Sequence, residues 1–264
     1  MSASSEKWSD LAARMGSALV MVVIGIWGIW VGGHVFHVLV SVICGLMVWE
    51  LTRMLEAENR SLALQLGCVS GAALLLASYL PVGFALPLLL APAMVGFGQL
   101  DRNRVVYMTF SVLILMAGYG MMGVRDDLGF GWMIWLVMVV IVTDVVGYFA
   151  GRTFGGPKFW PRVSPKKTWS GTVSGWIGAG IVGALFAINT GTTLQLIGVS
   201  IALSMASQMG DIAESAIKRR TGVKDSSDLI PGHGGVLDRF DGMLGASVFL
   251  LMLGQVSGIP GGAL

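Results

Sequence analysis

Nine apolar runs, each about as long as a bilayer-spanning helix, divide this chain of 264 residues. A bilayer core about 30 Å thick needs about 20 mostly apolar residues per helix. The runs are continuously apolar, as in MIWLVMVVIV, whereas the strands of a membrane barrel alternate over about 10 residues. The sequence therefore predicts an all-α polytopic membrane protein with about nine transmembrane helices, near residues 17 to 33, 35 to 53, 62 to 80, 82 to 99, 105 to 122, 131 to 151, 172 to 190, 194 to 217 and 243 to 259.

The composition agrees with a membrane protein. Hydrophobic residues make up 55% of the chain, charged residues make up 12%, and the mean hydropathy is +0.77, which excludes the ordinary soluble globular class. The small residues of GWIGAGIVGAL, in the seventh run, are the clearest candidate for a helix-packing face. Cys44 and Cys68 fall inside predicted helices, so we predict neither a disulfide nor a cysteine-based metal site.

The positive charges predict the orientation in the membrane. All of the 17 Lys and Arg residues except Arg125 lie in one alternate set of loops, which the positive-inside rule assigns to the cytoplasm. Lys7 and Arg14 belong to this set, so we expect a cytoplasmic N-terminus and an external C-terminus. No small-residue cleavage site follows the first run, which is expected to remain as a span. The positively charged residues then face lipid headgroups, so the net charge of +2 does not indicate nucleic acid binding.

The two halves of the chain differ in their polar content. Residues 1–130 hold five spans and no constellation that suggests chemistry, so we interpret them as a scaffold. Glu50, at the cytoplasmic end of the second span beside Arg53, is interpreted as an interfacial ion-pair residue without a catalytic role. Residues 131–264 carry acids at membrane depth, where their cost suggests a function. We therefore expect cytoplasmic-face catalytic loops in the second half, around Asp144, Asp211 and Glu214.

Asp211, Ser215 and Lys218 are spaced to share one face of the eighth span. They predict a polar stripe that leads from the bilayer to the surface loop, and the alternative is a water-exposed helix end with an internal salt bridge. Asp144 lies at the cytoplasmic end of the sixth span, and its alternative role is a structural pair with Arg152.

The segment SPKKTWSGT, Ser164 to Thr172, precedes the seventh span. Lys166 and Lys167 stand just ahead of that helix, and we expect Ser170 or Thr172 to cap it. A helix N-terminus beside two lysines suits an anion, although such lysines also occur simply as positive-inside residues.

A highly charged segment, Ser215 to Asp241, lies between the eighth and ninth runs. The backbone of its PGHGG loop can approach a ligand closely, and the glycines around His233 argue against a packed core histidine. Asp238 and Asp241, at i and i+3, could present both carboxylates to one cation. Hard oxygen donors without thiols or a second imidazole favour Mg²⁺ over Zn²⁺.

At these residues the chain resembles the phosphatidate cytidylyltransferase (CDP-diacylglycerol synthase) family. That family's signature is a Ser, then Lys-Arg, Lys-Asp, Pro-x-His-Gly-Gly and Asp-Arg-x-Asp. The similarity covers about a hundred residues from Asp144 to Gly242, including SQMGDIAES and SPKKT, while the front half matches only in hydropathy. Ser170 departs from the pattern, since many members carry Glu after SPKKT. The matching residues are Ser215, Lys218, Arg219, Lys224, Asp225, Pro231, His233, Gly234, Gly235, Asp238, Arg239 and Asp241.

The resemblance implies transfer of a cytidylyl group from CTP to phosphatidate, giving CDP-diacylglycerol and pyrophosphate for phospholipid biosynthesis. It implies that Asp211 and Asp238, with Asp241, hold one or two divalent cations such as Mg²⁺, and it leaves room for a monovalent cation. Ser215 would orient a phosphate or a metal-bound water. The phosphate charge would be neutralised by Lys218, Arg219, Lys224 and Arg239, and the substrate site would be completed by Lys166, Lys167, Asp144, His233, Gly234 and Gly235.

The implied partners are CTP, phosphatidate and membrane lipids, and a homodimer is compatible with the resemblance. The implied location is the bacterial inner membrane, with the active site on the cytoplasmic face. One alternative function is a CTP-dependent lipid alcohol kinase, which needs a base or strong polarisation for its hydroxyl nucleophile. An alternative from a different class is an ion-coupled transporter with ion sites at Asp144 and Asp211, although the polar residues gather at one membrane face.

Overall fold

The computed structural model describes residues 3–256, with side chains described for residues 14–254. Within that part of the chain there are nine α-helices: α1 (Ala3–Val31), α2 (Gly33–Leu55), α3 (Arg60–Ala77), α4 (Val82–Gln99), α5 (Arg104–Gly123), α6 (Phe130–Phe154), α7 (Trp169–Thr190), α8 (Gln195–Thr221) and α9 (Leu237–Val256). A π-helical turn, Val124–Leu128, joins α5 to α6. Two antiparallel strands, β1 (Lys158–Trp160) and β2 (Ser164–Thr168), join α6 to α7.

Eight of these helices, from α1 to α8, contain segments long and apolar enough to cross a membrane. Helix formation satisfies their backbone N–H and C=O groups, for which the bilayer core offers no other partner. The described part of α9 is not among these spans, and its first two turns carry Asp238, Arg239 and Asp241. The predicted fold class, an all-α polytopic membrane protein, is confirmed. The Lys7 side chain and residues 257–259 of the ninth predicted run lie outside the described residues.

The chain forms two compact units. The first comprises Met1–Leu115 and Thr221–Phe240, and the second comprises Met116–Arg220 and Asp241–Leu264. The loop between α8 and α9, residues 222–236, is called the charged loop below. It therefore folds with the front of the chain. Most of α8 folds with α6 and α7.

In the first unit, glycines bring the backbones of α2 and α3 into direct contact. A Cβ atom added at Gly45 would lie 2.9 Å from the carbonyl oxygen of Gly67, and one added at Gly67 would lie 2.8 Å from that of Gly45. A Cβ atom added at Gly71 would lie 2.9 Å from the carbonyl oxygen of Ser41. Such contacts are a main source of helix association in lipid, and here they fix α2, which carries Glu50.

In the second unit, the predicted packing face of α7 is confirmed. A Cβ atom at Gly175 would lie 3.0 Å from the carbonyl oxygen of Thr143 on α6. At the other end of this face, a Cβ atom at Gly183 would lie 2.9 Å from the carbonyl oxygen of Leu196 on α8. The small residues thus let α7 approach both neighbouring helices closely.

Buried hydrogen bonds connect α8 to α6 and α7. The Thr143 hydroxyl donates to Ser204 Oγ at 2.8 Å. Gln208 accepts from the Trp176 indole N–H at 2.9 Å and donates to the carbonyl oxygen of Thr172 at 3.2 Å. Because Gln208 lies less than one turn before Asp211, these bonds also fix the place of that acid.

Gly210 offers a test of the contact between α8 and α9. A Cβ atom at Gly210 would lie 2.2 Å from the carbonyl oxygen of Asp241, whereas one at Gly198, on the same helix, would meet nothing within 4 Å. We expect Gly210→Ala to lower the free energy of unfolding by about 1–3 kcal/mol, because backbone atoms must move apart. Gly198→Ala should leave it unchanged or raise it. Unfolding of the purified variants in detergent measures both, and equal stabilities would contradict the contact.

Candidate active site

A cavity of about 620 Å³ in the second unit brings predicted site residues together. Its wall is formed by α6, the loop and strands after it, α7 and α8. The Lys167 ammonium forms an ion pair with Asp211 Oδ2 at this wall, where both side chains are about a quarter exposed. Cationic and anionic side chains face one space, which suits a multiply charged anion bound with a cation. The charged lining residues are Asp144, Arg152, Lys158, Lys166, Lys167 and Asp211.

The two short strands place the lysines at this cavity. The chain leaves α6 through Gly155 and Gly156, whose positive φ values of 63° and 101° favour glycine. Lys158 then pairs with Thr168 across the strands, and Phe159 packs edge-on against Trp169 with their ring centroids 4.7 Å apart. Because of this pairing, Lys158 lines the same cavity as Lys166 and Lys167.

The expectation that Ser170 or Thr172 caps α7 is wrong. The helix begins at Trp169, so Thr168 is the N-cap, and its Oγ1 accepts from the Gly171 N–H at 3.3 Å. The predicted helix began three residues later, at 172. The Ser170 hydroxyl instead donates to the carbonyl oxygen of Gly155 and so ties the start of α7 to the end of α6.

The polar stripe of α8 is formed in part as predicted. The Ser215 hydroxyl donates to Asp211 Oδ1 at 3.3 Å. Lys218, however, contacts Glu214, with 2.5 Å between its Nζ atom and Oε2. Glu214 is 1% exposed, so this pairing offsets part of the cost of burying an acid. Arg219 follows at the exposed end of the helix.

Three acids on three helices of the second unit, Asp144, Asp211 and Asp241, influence one another. Asp241 lies in the first turns of α9, before the apolar run that begins at residue 243. Its pKa is raised to about 7, mainly by burial and also by the negative charges of Asp211 and Asp144, while a hydrogen bond from Gly242 and the charge of Lys218 act to lower it. Among the described residues, no three side chains of His, Cys, Asp or Glu are close enough to enclose a metal ion. The acids therefore form a negatively charged cluster without a complete coordination shell of their own.

In the first unit, the loop before α9 contains a tight turn at residues 230–233. The His233 N–H donates to the carbonyl oxygen of Ile230 at 2.9 Å, with Pro231 and Gly232 between them. Gly232 has φ of 73°, as the third position of a type II turn requires. On α1, the Ser17 hydroxyl lies 2.8 Å from His233 Nδ1 and donates to the carbonyl oxygen of Pro231 at 2.9 Å. The imidazole is thereby held at the tip of the loop.

Asp238 closes this loop. Its Oδ2 atom accepts from the Ser226 N–H, the Ser226 hydroxyl and the Gly235 N–H, each at 2.8 Å. A Cβ atom at Gly234 would lie 2.9 Å from the same oxygen, so the glycine allows the backbone to wrap around the carboxylate. One acceptor atom, Asp238 Oδ2, therefore joins Ser226 near the beginning of the loop to Gly235 near its end.

The remaining basic residues of the signature differ in their restraint. Arg239 Nε donates to the carbonyl oxygen of His233 at 3.0 Å, which ties the guanidinium to the loop tip. Lys224 is 87% exposed, with its ammonium 4.0 Å from Asp225 Oδ2. One cation is therefore oriented by the fold, and the other is free to follow a ligand.

The interpretation of Glu50 as an interfacial residue is wrong. Its side chain is 0% exposed, and both carboxylate oxygens accept hydrogen bonds from the loop between α8 and α9. The guanidinium of Arg53 lies 5.2 Å from the centre of the Trp49 ring. The signal for burial was the apolar sequence that surrounds Glu50 on α2, but its partners lie about 180 residues later in the chain.

Sequence reasoning also missed three residues that line the cavity. Arg152 was considered only as a positive-inside charge and as a structural partner of Asp144, Lys158 was counted only as a positive-inside charge, and Gln208 was given no role. A cluster of five basic residues between 152 and 167 was the available signal, since two cytoplasmic lysines would satisfy the charge rule. Arg152 Nη1 donates to the Tyr148 hydroxyl at 3.1 Å.

Comparison with known proteins gives matches that extend over nearly the whole chain. The model of the cytidylyltransferase family matches residues 12–257. A phosphatidate cytidylyltransferase of Brucella abortus is 36% identical over 96% of this chain and 96% of its own length. One of Bacillus subtilis is 28% identical over 92% of this chain and 97% of its own length. The similarity thus includes the front half, and the chain belongs to the cytidylyltransferase family.

Proposed function

We propose that this nucleotidyltransferase transfers the cytidylyl group of CTP to phosphatidate, which gives CDP-diacylglycerol and pyrophosphate. The observation that carries the proposal is the 620 Å³ cavity, where cationic side chains and two acids face one space beside apolar spans. The relatives named phosphatidate cytidylyltransferase support it because they match over nearly the full chain.

The reaction needs positioning and charge neutralisation more than a base. A phosphate oxygen of phosphatidate attacks the α-phosphorus of CTP, a new P–O bond forms, and the bond from the α-phosphorus to the oxygen bridging to the β-phosphorus breaks. The second pKa of a phosphate monoester is near 6, so the nucleophile is already largely anionic at neutral pH. What the protein supplies is alignment of two anions and stabilisation of the leaving pyrophosphate.

The cations of the cavity are suited to hold a phosphate group. Lys158 and Lys166 are exposed at its rim, and Lys167 is held deeper by its ion pair with Asp211. Lys166 and Lys167 would bind the lipid phosphate or the triphosphate. The remaining phosphate charge would be countered by Lys218, Arg219, Lys224 and Arg239, with Ser215, Asp144, His233, Gly234 and Gly235 completing the substrate site.

The acids fit a magnesium ion that is shared with substrate. All donors are oxygens, and Mg²⁺ is commonly held by one or two carboxylates together with substrate phosphates and water. Asp211 and Asp241 would hold the ion, and the signature adds Asp238, one helical turn before Asp241 in α9. When bound, the ion would supply Lewis-acid stabilisation of the phosphate oxygens. Burial and the repulsion from Asp211 and Asp144, which together raise the pKa of Asp241, support a cation at this cluster.

The membrane setting follows from the substrate. The acyl chains of phosphatidate stay in lipid while its headgroup must meet a soluble nucleotide. The distribution of Lys and Arg supports a site on the cytoplasmic face, and the bacterial relatives support the inner membrane. A homodimer is a further prediction from the family resemblance.

Replacement of Asp211 tests the site. We expect Asp211→Asn and Asp238→Asn to lower kcat/KM by about a hundredfold or more, because each removes a proposed cation ligand. The measurement is CDP-diacylglycerol formation from labelled CTP and phosphatidate by purified protein in detergent with Mg²⁺. Asp101→Asn, an exposed acid between α4 and α5, is the matched control and should keep the parental rate.

Each other result of this assay has a definite meaning. Activity that survives both substitutions would contradict the assignment of the acids and leave the reaction in place. A parent that makes no CDP-diacylglycerol but phosphorylates an isoprenoid alcohol with CTP would replace the reaction by that of a lipid alcohol kinase.

Replacement of Lys166 tests the cationic rim of the cavity. We expect Lys166→Ala to raise KM for phosphatidate or CTP by about tenfold, with a smaller change in kcat, because a charge that binds the ground state is lost. Arg162→Ala is the matched control, since Arg162 is exposed in the turn that joins the two strands but does not line the cavity. Steady-state kinetics with each substrate varied in turn measures the effect. Equal KM values in both variants would exclude Lys166 from substrate binding.

A further inference from the structure

Glu50 is a buried acid whose hydrogen-bond partners, within the part of the chain that the structure describes, belong to the charged loop and the start of α9. Its Oε1 atom accepts from the Ser227 hydroxyl at 2.6 Å and from the Val236 N–H at 2.9 Å. Its Oε2 atom accepts from the Leu237 N–H at 2.7 Å and from the Ser226 hydroxyl at 3.1 Å. Each oxygen thus binds both the beginning and the end of the loop.

Two of these donors are backbone groups at the N-terminus of α9. The helix begins at Leu237, and the first N–H groups of a helix have no partner within it. The Glu50 carboxylate satisfies the N–H groups of Val236 and Leu237, and the positive end of the helix dipole favours an acid there. An acid from a distant helix thereby performs the capping role that a local side chain usually has.

The loop backbone has adapted to the presence of this carboxylate. A Cβ atom at Gly235 would lie 2.5 Å from Glu50 Oε1 and 2.0 Å from Ser226 Oγ. No residue with a side chain fits there without movement of the loop. The Ser226 hydroxyl also lies 2.8 Å from Asp238 Oδ2, so Glu50 and Asp238 are linked through one residue.

We propose that Glu50 is a positioning residue for cytidylyl transfer, which holds the loop of Ser226 to Asp238 and the start of α9 in the form that binds the nucleotide. This inference rests on the proposed function. The loop carries His233 at its tip, Arg239 is hydrogen-bonded to that tip, and Lys224 precedes it. Glu50 does not contact substrate in this proposal and acts through these groups.

Hydrogen exchange of the full-length protein in detergent tests the anchoring without reference to activity. In Glu50→Gln, an NH₂ group replaces one of the two carboxylate oxygens. This group is a donor and cannot accept hydrogen bonds from the N–H and O–H groups of the loop. We expect the backbone amides of Gly235, Val236 and Leu237 to exchange about tenfold faster or more, while peptides from α6 and α7 are unchanged. Glu58→Gln, an exposed acid just after α2, is the matched control and should exchange like the parent.

Kinetics separates positioning from a general loss of folded enzyme. We expect Glu50→Gln to raise KM for CTP by about fivefold or more, while KM for phosphatidate stays within about twofold of the parent. A merely structural defect would lower the amount of active enzyme, so kcat would fall with both KM values unchanged. Glu50→Asp keeps a carboxylate and should recover part of the affinity for CTP.

Ser227→Ala provides the test if Glu50→Gln does not fold. It removes one of the four donors to Glu50 and should change loop exchange and KM for CTP in the same direction by a smaller factor. Unchanged exchange in the loop, or faster exchange with both KM values unchanged, would overturn the proposal. A parent without cytidylyltransferase activity would instead contradict the proposed function, and the exchange experiment would still decide whether Glu50 anchors the loop.

Discussion

Close backbone contact at glycines is the constraint on which the arrangement of the second unit depends. Apolar side chains gain little by meeting one another in lipid, so membrane helices associate through close packing and polar contacts. A Cβ atom at Gly171 would lie 2.5 Å from the carbonyl oxygen of Gly147, and one at Gly245 would lie 2.1 Å from that of Ala206. These approaches bring α6 to α7 and α8 to α9. Asp144, Asp211 and Asp241 lie on these helices, so the packing brings their carboxylates close enough to interact electrostatically.

The first unit solves a different problem, which is how to order a polar loop without regular structure. Buried backbone N–H groups require acceptors, and two carboxylates supply them. Glu50 and Asp238 accept from six donor groups of the loop and the start of α9, and the Ser226 hydroxyl lies within hydrogen-bond distance of both acids. Glycines next to these acids leave the room that their oxygens need. The conformation of the loop therefore depends on Glu50 of α2, a helix that is far away in sequence.

The two kinds of order suit a reaction between a lipid and a soluble nucleotide. A phosphate monoester is reactive enough without a base, so the difficulty is the repulsion between two anions and the charge of the leaving group. Lys158 and Lys166 are exposed where they line the cavity, while Lys167 is paired with Asp211. In the proposed reaction the exposed lysines would bind phosphate, while Asp211, which is about a quarter exposed, would hold the cation.

The sequence by itself determined the fold class, because the length of an apolar run and the need to satisfy its backbone in lipid leave the helix as the solution. It also supplied the residue types of the candidate site, since the signature of Ser215 to Asp241 is local and its spacing can be read directly. The start of α7 was misplaced by three residues, because Trp169 and Ser170 carry no strong helix signal and the strand pairing with Lys158 decides where the helix begins.

Only the tertiary structure decided the role of Glu50 and the membership of Arg152 and Lys158 in the cavity. The reason is that hydrogen bonds and cavity walls join residues that are distant in the chain, and no periodicity in the sequence encodes such distances. An acid in an apolar helix shows by its cost that it has a partner, but the identity of that partner depends on which helices pack together.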